Sequence, residues 1–195
     1  MVNSARLVLA SRSPRRIEIL RREGVAFESI EASVDDPSRP PQGDPAGVSA
    51  ELARRKAEDV ARGHPDRVRD AFVVGADTIC AIDGRSIGKP ESVEEARAML
   101  RLMAGRAHDV VTSVAVWRAG HARVATDTAT VTLPELDDAV VQRYLDGGAW
   151  KGKAGAYDID ERRRGGWDID CVGDPDTVSG LPWRLVRQVM EAWPW

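Results

Sequence analysis

Hydroxyl and guanidinium groups follow directly after the first apolar run of the chain. The segment "LASRSPRR" (residues 9–16) contains two serines and three arginines. A strand that leads into a helix leaves backbone N–H groups pointing outward at the positive end of the helix dipole. Phosphate oxygens suit such a place, although a plain helix cap with solvated arginines is the alternative. The side chains predicted to bind an anion are Ser11, Ser13, Arg15 and Arg16.

An acidic residue stands at the end of a later apolar run. The segment "VVGADT" (residues 73–78) delivers Asp77 two positions after Gly75. Because glycine permits another element to approach closely, a carboxylate here is well placed to bind a metal ion or to orient a water. The alternative is an ordinary turn aspartate.

Further cations occur in short motifs along the chain. Lys56 lies in "ARRKA", Lys89 in "GKP" and Lys153 in the glycine-rich "GKAGAY". Each lysine taken alone is typical of a solvated surface. Together, many cations with few acids and no evident nucleophile favour phosphate chemistry by an activated water. The P-loop pattern G-x-x-x-x-G-K-[ST] is absent from the sequence.

The elements that must position these groups alternate between strand and helix patterns. Residues 6–10 predict a buried strand, and Pro14 and Pro45 each follow a residue suited to cap a helix. The run 71–82 predicts two strands broken at Gly75. The remaining predictions are a strand at 25–32, helices at 92–105, 136–145 and 181–193, a hairpin around 119–120 and a loop at 146–166. The pattern predicts an α/β fold with a mixed, twisted sheet and flanking helices.

Length and composition set limits on the class of protein. A chain of 195 residues with 43% apolar content predicts one domain over residues 1–195. The net charge of −3 argues against a nucleic-acid partner bound through bulk charge. No apolar run approaches a membrane span, so no membrane partner is expected. Cys80 and Cys171 lack C-x-x-C spacing, which favours a reduced, cytoplasmic location without zinc or disulfides.

The ordered motifs resemble one family from end to end. Matching segments occur in the same order over almost the whole chain, and "LASRSPRR" and "VVGADT" are the most specific. The chain resembles the Maf family, the septum-formation-inhibitor-like nucleoside triphosphate pyrophosphatases. The segments that carry the resemblance are "LASRSPRR", "VDD", "ARRKA", "VVGADT", "GKP", "MLRLMAGRAHDVVTSVAV", "WKGKAGAYDID" and "GDPDTVSGLPW".

The resemblance implies a fold, a reaction and roles for residues. It implies two lobes around a deep nucleotide-binding cleft, and hydrolysis of a nucleoside triphosphate to the monophosphate and pyrophosphate by a homodimer. It implies a divalent cation, Mg²⁺ or Mn²⁺, with Asp77 and Asp36 as metal-binding positions and Asp77 as the catalytic residue. The residues implied to hold the triphosphate are Ser11, Arg15, Arg16, Lys56 and Lys89.

The resemblance also bears on the choice of base. Arg15 and Thr78 match the subgroup that acts on dTTP and UTP, whereas a subgroup acting on 7-methyl-GTP carries tryptophan and glutamine there. The family's "YGIQG" is "YDIDE" in this chain, which puts Asp160 at a glutamine position. An ionised carboxylate only accepts hydrogen bonds, so Asp160 predicts blunted selectivity or a preference shifted to another base. The predicted substrate is dTTP or UTP, or else a modified nucleotide. Similarly, Asp36 replaces a glutamate and is one methylene shorter.

A second class of function stays open at this point. The family's name suggests a non-catalytic, nucleotide-binding regulator of cell division. Asp77 argues against it, because binding alone would not require that acid.

Overall fold

The computed structural model describes residues 6–34 and 43–193. The strands are β1 (Arg6–Leu9), β2 (Phe27–Ser29), β3 (Ala71–Ile82), β4 (Arg85–Ile87), β5 (Ala107–Arg118), β6 (His121–Thr132) and β7 (Asp170–Val172). The helices are α1 (Pro14–Arg22), α2 (Pro45–Gly63), α3 (Pro65–Val68), α4 (Val93–Met103), α5 (Asp138–Asp146), α6 (Ile159–Arg164), α7 (Pro175–Ser179) and α8 (Trp183–Glu191). A single 3₁₀ turn covers Ala154–Ala156.

These strands form one mixed sheet in the order β2-β1-β3-β5-β6-β7, with β4 also paired to β3. Strand β1 runs parallel to β2 and β3, and the other pairs are antiparallel. The predicted mixed α/β fold with flanking helices is therefore confirmed. The two lobes stay a prediction. Of the described helices, none is both long and apolar enough to cross a membrane.

The prediction of two strands broken at Gly75 is wrong, because β3 is one strand of 12 residues. Gly75 keeps its place in the ladder opposite Ala115 of β5. Its missing side chain serves packing instead: a Cβ at Gly75 would lie 2.3 Å from the Ala53 carbonyl oxygen and 2.7 Å from the Ala57 nitrogen. The glycine thus lets the backbone of α2 lie directly on β3.

One edge of β3 changes neighbour along its length. Its first residues, 71–74, pair with β1, and residues 80–82 pair with β4. Asp77 and Thr78 fall in the interval between these two ladders. Chain leaving the carboxyl end of β1 therefore passes close to Asp77, which is the kind of place where open α/β sheets bind ligands.

Local signals account for most of the element ends. Ser92 caps α4 by accepting from the Glu95 nitrogen at 3.1 Å. The β3–β4 turn has positive φ at Asp83 and Gly84, and the β5–β6 turn has positive φ at Ala119 and Gly120, as paired turn residues require.

The predicted loop over residues 146–166 is wrong in part. It contains the 3₁₀ turn and α6, whose six residues "IDERRR" lack the apolar periodicity that reveals a helix. Asp158 caps α6 by accepting from the Glu161 nitrogen at 3.0 Å. The missed helix matters, because Asp158 and Glu161 both line the pocket described next.

Candidate active site

A pocket of about 710 Å³ lies where the β1–α1 loop, the middle of β3, residues 151–161 and residues 178–180 meet. Most of the predicted site residues line it. They are Ser11, Ser13, Arg15, Arg16, Lys56, Asp77, Thr78 and Lys89. Residues far apart in sequence are thus brought to one place, as a binding site requires.

Asp77 and Lys56 form a buried ion pair on the α2 side of β3. The Lys56 Nζ lies 2.6 Å from Asp77 Oδ1, and the two side chains are 9% and 5% exposed. Buried charges need partners, because removing one charge of such a pair leaves the other without compensation. The close approach of α2 at Gly75 brings Lys56 within reach of Asp77. The pair puts a carboxylate of fixed position into the wall of the pocket.

Arg16 is held on the opposite face of the sheet. Its Nε donates to the Gly180 carbonyl oxygen at 2.8 Å, and its Nη1 lies 3.4 Å from Ser11 Oγ. Its Nη2 lies 3.5 Å from Thr78 Oγ1, the outer limit of a hydrogen bond. Gly180 has a positive φ of 96° and ends α7 in the left-handed conformation. Arg16 therefore joins the end of α7 to the β1–α1 loop.

Ser11 and Ser13 shape the start of α1 in an unexpected way. Ser13 is the N-cap residue with Pro14 next, as predicted, but its side chain makes no capping hydrogen bond. Instead, Ser11 Oγ accepts from the Ser13 backbone N–H at 3.1 Å. The Ser11 carbonyl accepts from Ser29 Oγ at 2.6 Å, which fixes the loop to the end of β2.

Arg15 is bound by a carboxylate that sequence reasoning missed. Its Nη1 donates to Asp158 Oδ2 at 2.9 Å, with side-chain exposures of 47% for Arg15 and 9% for Asp158. Burial alone would raise the pKa of Asp158, but the Glu161 backbone N–H and the Arg15 charge outweigh it and lower that pKa. The available signal was the spacing of Asp158 and Glu161, an aspartate and a glutamate three residues apart as at a helix N-terminus.

The lining of the pocket carries an excess of positive charge. Lys89 contributes from the loop after β4, and Lys153, which contacts Glu161 Oε2, from the glycine-rich segment. Of the described residues, seven basic and four acidic side chains line the pocket, an excess of three positive charges. This excess suits a polyanion such as a triphosphate, which carries about four negative charges.

One predicted site residue is not brought into the pocket. Asp160 is exposed on α6 and does not line it. Asp36 lies outside the described residues.

No described cluster of three or more His, Cys, Asp or Glu side chains is placed to hold a metal. However, Mg²⁺ typically binds one or two carboxylates together with substrate phosphates and waters. The oxygen donors of Asp77, in a pocket lined by an excess of basic side chains, fit that manner of binding.

Comparison with known proteins adds to this geometry. The family model described as "Maf-like protein" matches residues 6–193. A dTTP/UTP pyrophosphatase of Chromobacterium violaceum is 40% identical over 185 residues, covering 92% of this chain and 90% of the relative. Proteins of the same name from Salinibacter ruber and Pelotomaculum thermopropionicum are 39% and 42% identical, covering 97% and 95% of this chain and 91% and 95% of those relatives.

Proposed function

Since this chain belongs to the Maf family, we propose that it is a nucleoside triphosphate pyrophosphatase that releases a monophosphate and pyrophosphate. The relatives named dTTP/UTP pyrophosphatases make dTTP and UTP the first substrates to test, with modified nucleotides after them. The observation that carries the proposal is the buried Asp77–Lys56 pair in the wall of a pocket with excess positive charge.

Binding of the triphosphate is assigned to the basic side chains around Asp77. Each hydrogen bond from a charged donor contributes about 1.5–3 kcal/mol at best. The serine hydroxyls and the backbone N–H groups at the start of α1 add further donors. The residues proposed to hold the phosphates are Ser11, Ser13, Arg15, Arg16, Lys56 and Lys89.

Asp77 is proposed to act on the attacking water. It would orient the water and take its proton while the water oxygen bonds to the α-phosphorus. The bond from that phosphorus to the α–β bridging oxygen breaks, and pyrophosphate leaves with the electron pair. Lys89 or an arginine would neutralise the charge that develops on the leaving group.

A divalent cation belongs to the same proposal. Asp77 would hold Mg²⁺ or Mn²⁺ together with the phosphates, and the family resemblance adds Asp36. Such an ion supplies charge neutralisation on the phosphates and activation of water. The cytoplasmic location and the homodimer are proposed from the composition and the family resemblance alone.

Product analysis tests the proposed reaction directly. The protein is incubated with dTTP, UTP and the other common nucleotides in the presence of Mg²⁺, and phosphate-containing products are resolved by ³¹P NMR. Stoichiometric monophosphate and pyrophosphate are expected. Release of orthophosphate with a nucleoside diphosphate would contradict the assigned bond cleavage. Tight binding without any product would favour the non-catalytic regulator.

A further inference from the structure

The hydroxyl of Thr78 stands at the end of a short chain of hydrogen bonds. Its Oγ1 lies 2.9 Å from Thr112 Oγ1 on the neighbouring strand β5. Thr112 Oγ1 in turn lies 2.7 Å from the Thr177 carbonyl oxygen of α7. Each threonine hydroxyl has one proton to donate, whereas a carbonyl only accepts.

This chemistry sets the direction of the whole chain. The one proton of Thr112 goes to the Thr177 carbonyl, because no other arrangement satisfies two oxygens 2.7 Å apart. Thr112 must then accept from Thr78 across the 2.9 Å contact. Thr78 consequently donates its hydroxyl proton to Thr112 and can only accept hydrogen bonds from other partners.

The far end of the chain is firmly placed. Thr112 and Thr177 are fully buried, so solvent does not compete for their hydrogen bonds. The Thr177 nitrogen donates to the Asp174 carbonyl at 3.0 Å, and its hydroxyl donates to the Asp127 carboxylate on β6. The acceptor that orients Thr112 is therefore anchored at both its backbone and its side chain.

We propose that Thr112 is a positioning residue that fixes the Thr78 hydroxyl as a hydrogen-bond acceptor toward the pocket. One lone pair of Thr78 faces Arg16 Nη2 at 3.5 Å, and the second is left for a ligand. The substrate group beside Thr78 is then an N–H or O–H donor. Ionised phosphate oxygens are acceptors only, so Thr78 contacts the nucleoside and not the triphosphate.

Two parts of a nucleotide offer such a donor, the imide N3–H of uracil or thymine and a hydroxyl of the sugar. This inference rests on the proposed function. Its test compares kcat/KM for UTP with three analogues that each lack one donor: N3-methyl-UTP, dUTP and 3′-deoxy-UTP. The wild type is expected to lose roughly tenfold or more on one analogue, which identifies the donor.

Substitution of Thr112 then separates positioning from simple packing. In Thr112→Val the Thr78 proton loses its fixed acceptor, so Thr78 can donate into the pocket as well as accept. The ratio of kcat/KM between UTP and that analogue should therefore fall clearly below its wild-type value. Thr112→Ser keeps the hydroxyl and should keep the ratio. Ser113→Ala is the matched control, since Ser113 bonds Ser49 at 2.6 Å on the other face of the sheet and should leave the ratio unchanged.

The outcomes are distinguishable from failure of the proposed function. Absence of pyrophosphate from every nucleotide would refute the proposed function. Active wild type that processes all three analogues like UTP would overturn the inference, as would a Thr112→Val ratio equal to that of the wild type. If Thr112→Val does not fold, Thr78→Ser must keep the ratio and Thr78→Val must lose it, and the reverse result overturns the inference.

Discussion

Two ion pairs in the pocket are built in opposite ways. Asp77 and Lys56 join the middle of β3 to α2, and both side chains are at least 90% buried. Asp158 and Arg15 join the N-terminus of the short α6 to the first turn of α1, and Arg15 is 47% exposed. The first pair is fixed by the packing of long regular elements. In the second pair, the Arg15 side chain is open to solvent.

The difference separates a rigid part of the site from an adjustable part. A buried pair has no water to replace a lost partner, so its geometry is maintained. An exposed arginine exchanges its carboxylate for water or for a phosphate at small cost. Catalysis is expected to depend on the Asp77–Lys56 pair, and affinity to be tuned by the Asp158–Arg15 pair.

Asp77→Asn should give the largest effect. If Asp77 acts on the water as proposed, its loss should lower kcat by roughly 10²-fold or more. The neutral amide keeps the shape of the side chain but removes the charge that pairs with the buried Lys56. Stability should therefore fall while the fold persists, which urea unfolding and circular dichroism check. The same substitution at Asp158 is the matched control. An Asp77→Asn protein with near-normal turnover would remove Asp77 from the mechanism.

Gly75→Ala should weaken the buried Asp77–Lys56 pair by displacing α2. The added Cβ would lie 2.3 Å from the Ala53 carbonyl oxygen, so α2 must shift and carry Lys56 away from Asp77. We expect a loss of about 1–3 kcal/mol in the free energy of unfolding and a clear fall in kcat. Gly63→Ala, where a Cβ meets no atom within 4 Å, is the control. Equal stability of the two variants in urea would show that the close contact between α2 and β3 does not require glycine at position 75.

Asp158→Asn should act on affinity and on acid stability. Releasing Arg15 adds positive charge to the pocket, so KM at low salt should fall by roughly twofold to fivefold, with kcat little changed. A KM that rises instead would mean that Asp158 holds Arg15 in the binding position.

The acid stability of the same variant has a definite sign. The folded-state pKa of Asp158 is lowered from its ordinary value of 3.8. Its contribution to stability is therefore complete above pH 3.8 and lost as the pH falls through the lowered pKa. Asp158→Asn should accordingly flatten the acid limb of the stability curve, measured by urea unfolding from pH 7 to pH 2. An unchanged acid limb would show that Asp158 does not contribute there.

Asp160→Gln should give the smallest effect. The glutamine position of the family led to the expectation that this change sharpens the preference for dTTP and UTP. Because Asp160 is exposed and does not line the pocket, we now expect the kcat/KM ratios among common nucleotides to change by less than about twofold. A sharpened pyrimidine preference would show that residues 157–161 rearrange when nucleotide binds.

The sequence predicted which residues line the pocket better than it predicted which of them contact each other. Asp77 and Arg16 were predicted from residue type and motif, and Lys56 from the family resemblance. All three line one pocket. The Arg15–Asp158 pair joins residues 143 positions apart, and Thr112 meets Thr177 across 65 positions. Such contacts depend on which elements share the sheet, and a local pattern does not contain that information.

The fold was predicted well where the signals were local. The predicted turns and the predicted cap at Ser92 agree with the structure because glycine, proline, serine and aspartate act within a few residues. Ser13 is at the predicted N-cap position but makes no side-chain capping bond. Gly75 was misinterpreted as a break in the strand. Glycine is required there by the close contact with α2, whose contacting residues lie about 20 positions away in sequence. Helix α6 was missed because tertiary contacts and its Asp158 cap support six residues with little apolar pattern.

Neighbouring positions on β3 carry a further consequence for assembly of the molecule. Asp77 faces α2 and Thr78 faces α7, as successive strand residues must. A slip of β3 by one residue would turn Asp77 toward α7 or Thr78 toward α2. It would also place the Cβ of Val74 or Ala76 where Gly75 now meets the α2 backbone at Ala53 and Ala57. The observed register places Gly75 against α2 and avoids that collision. Gly75 thus disfavours misregistered pairing of β3. A misregistered chain would be expected to be both less stable and inactive.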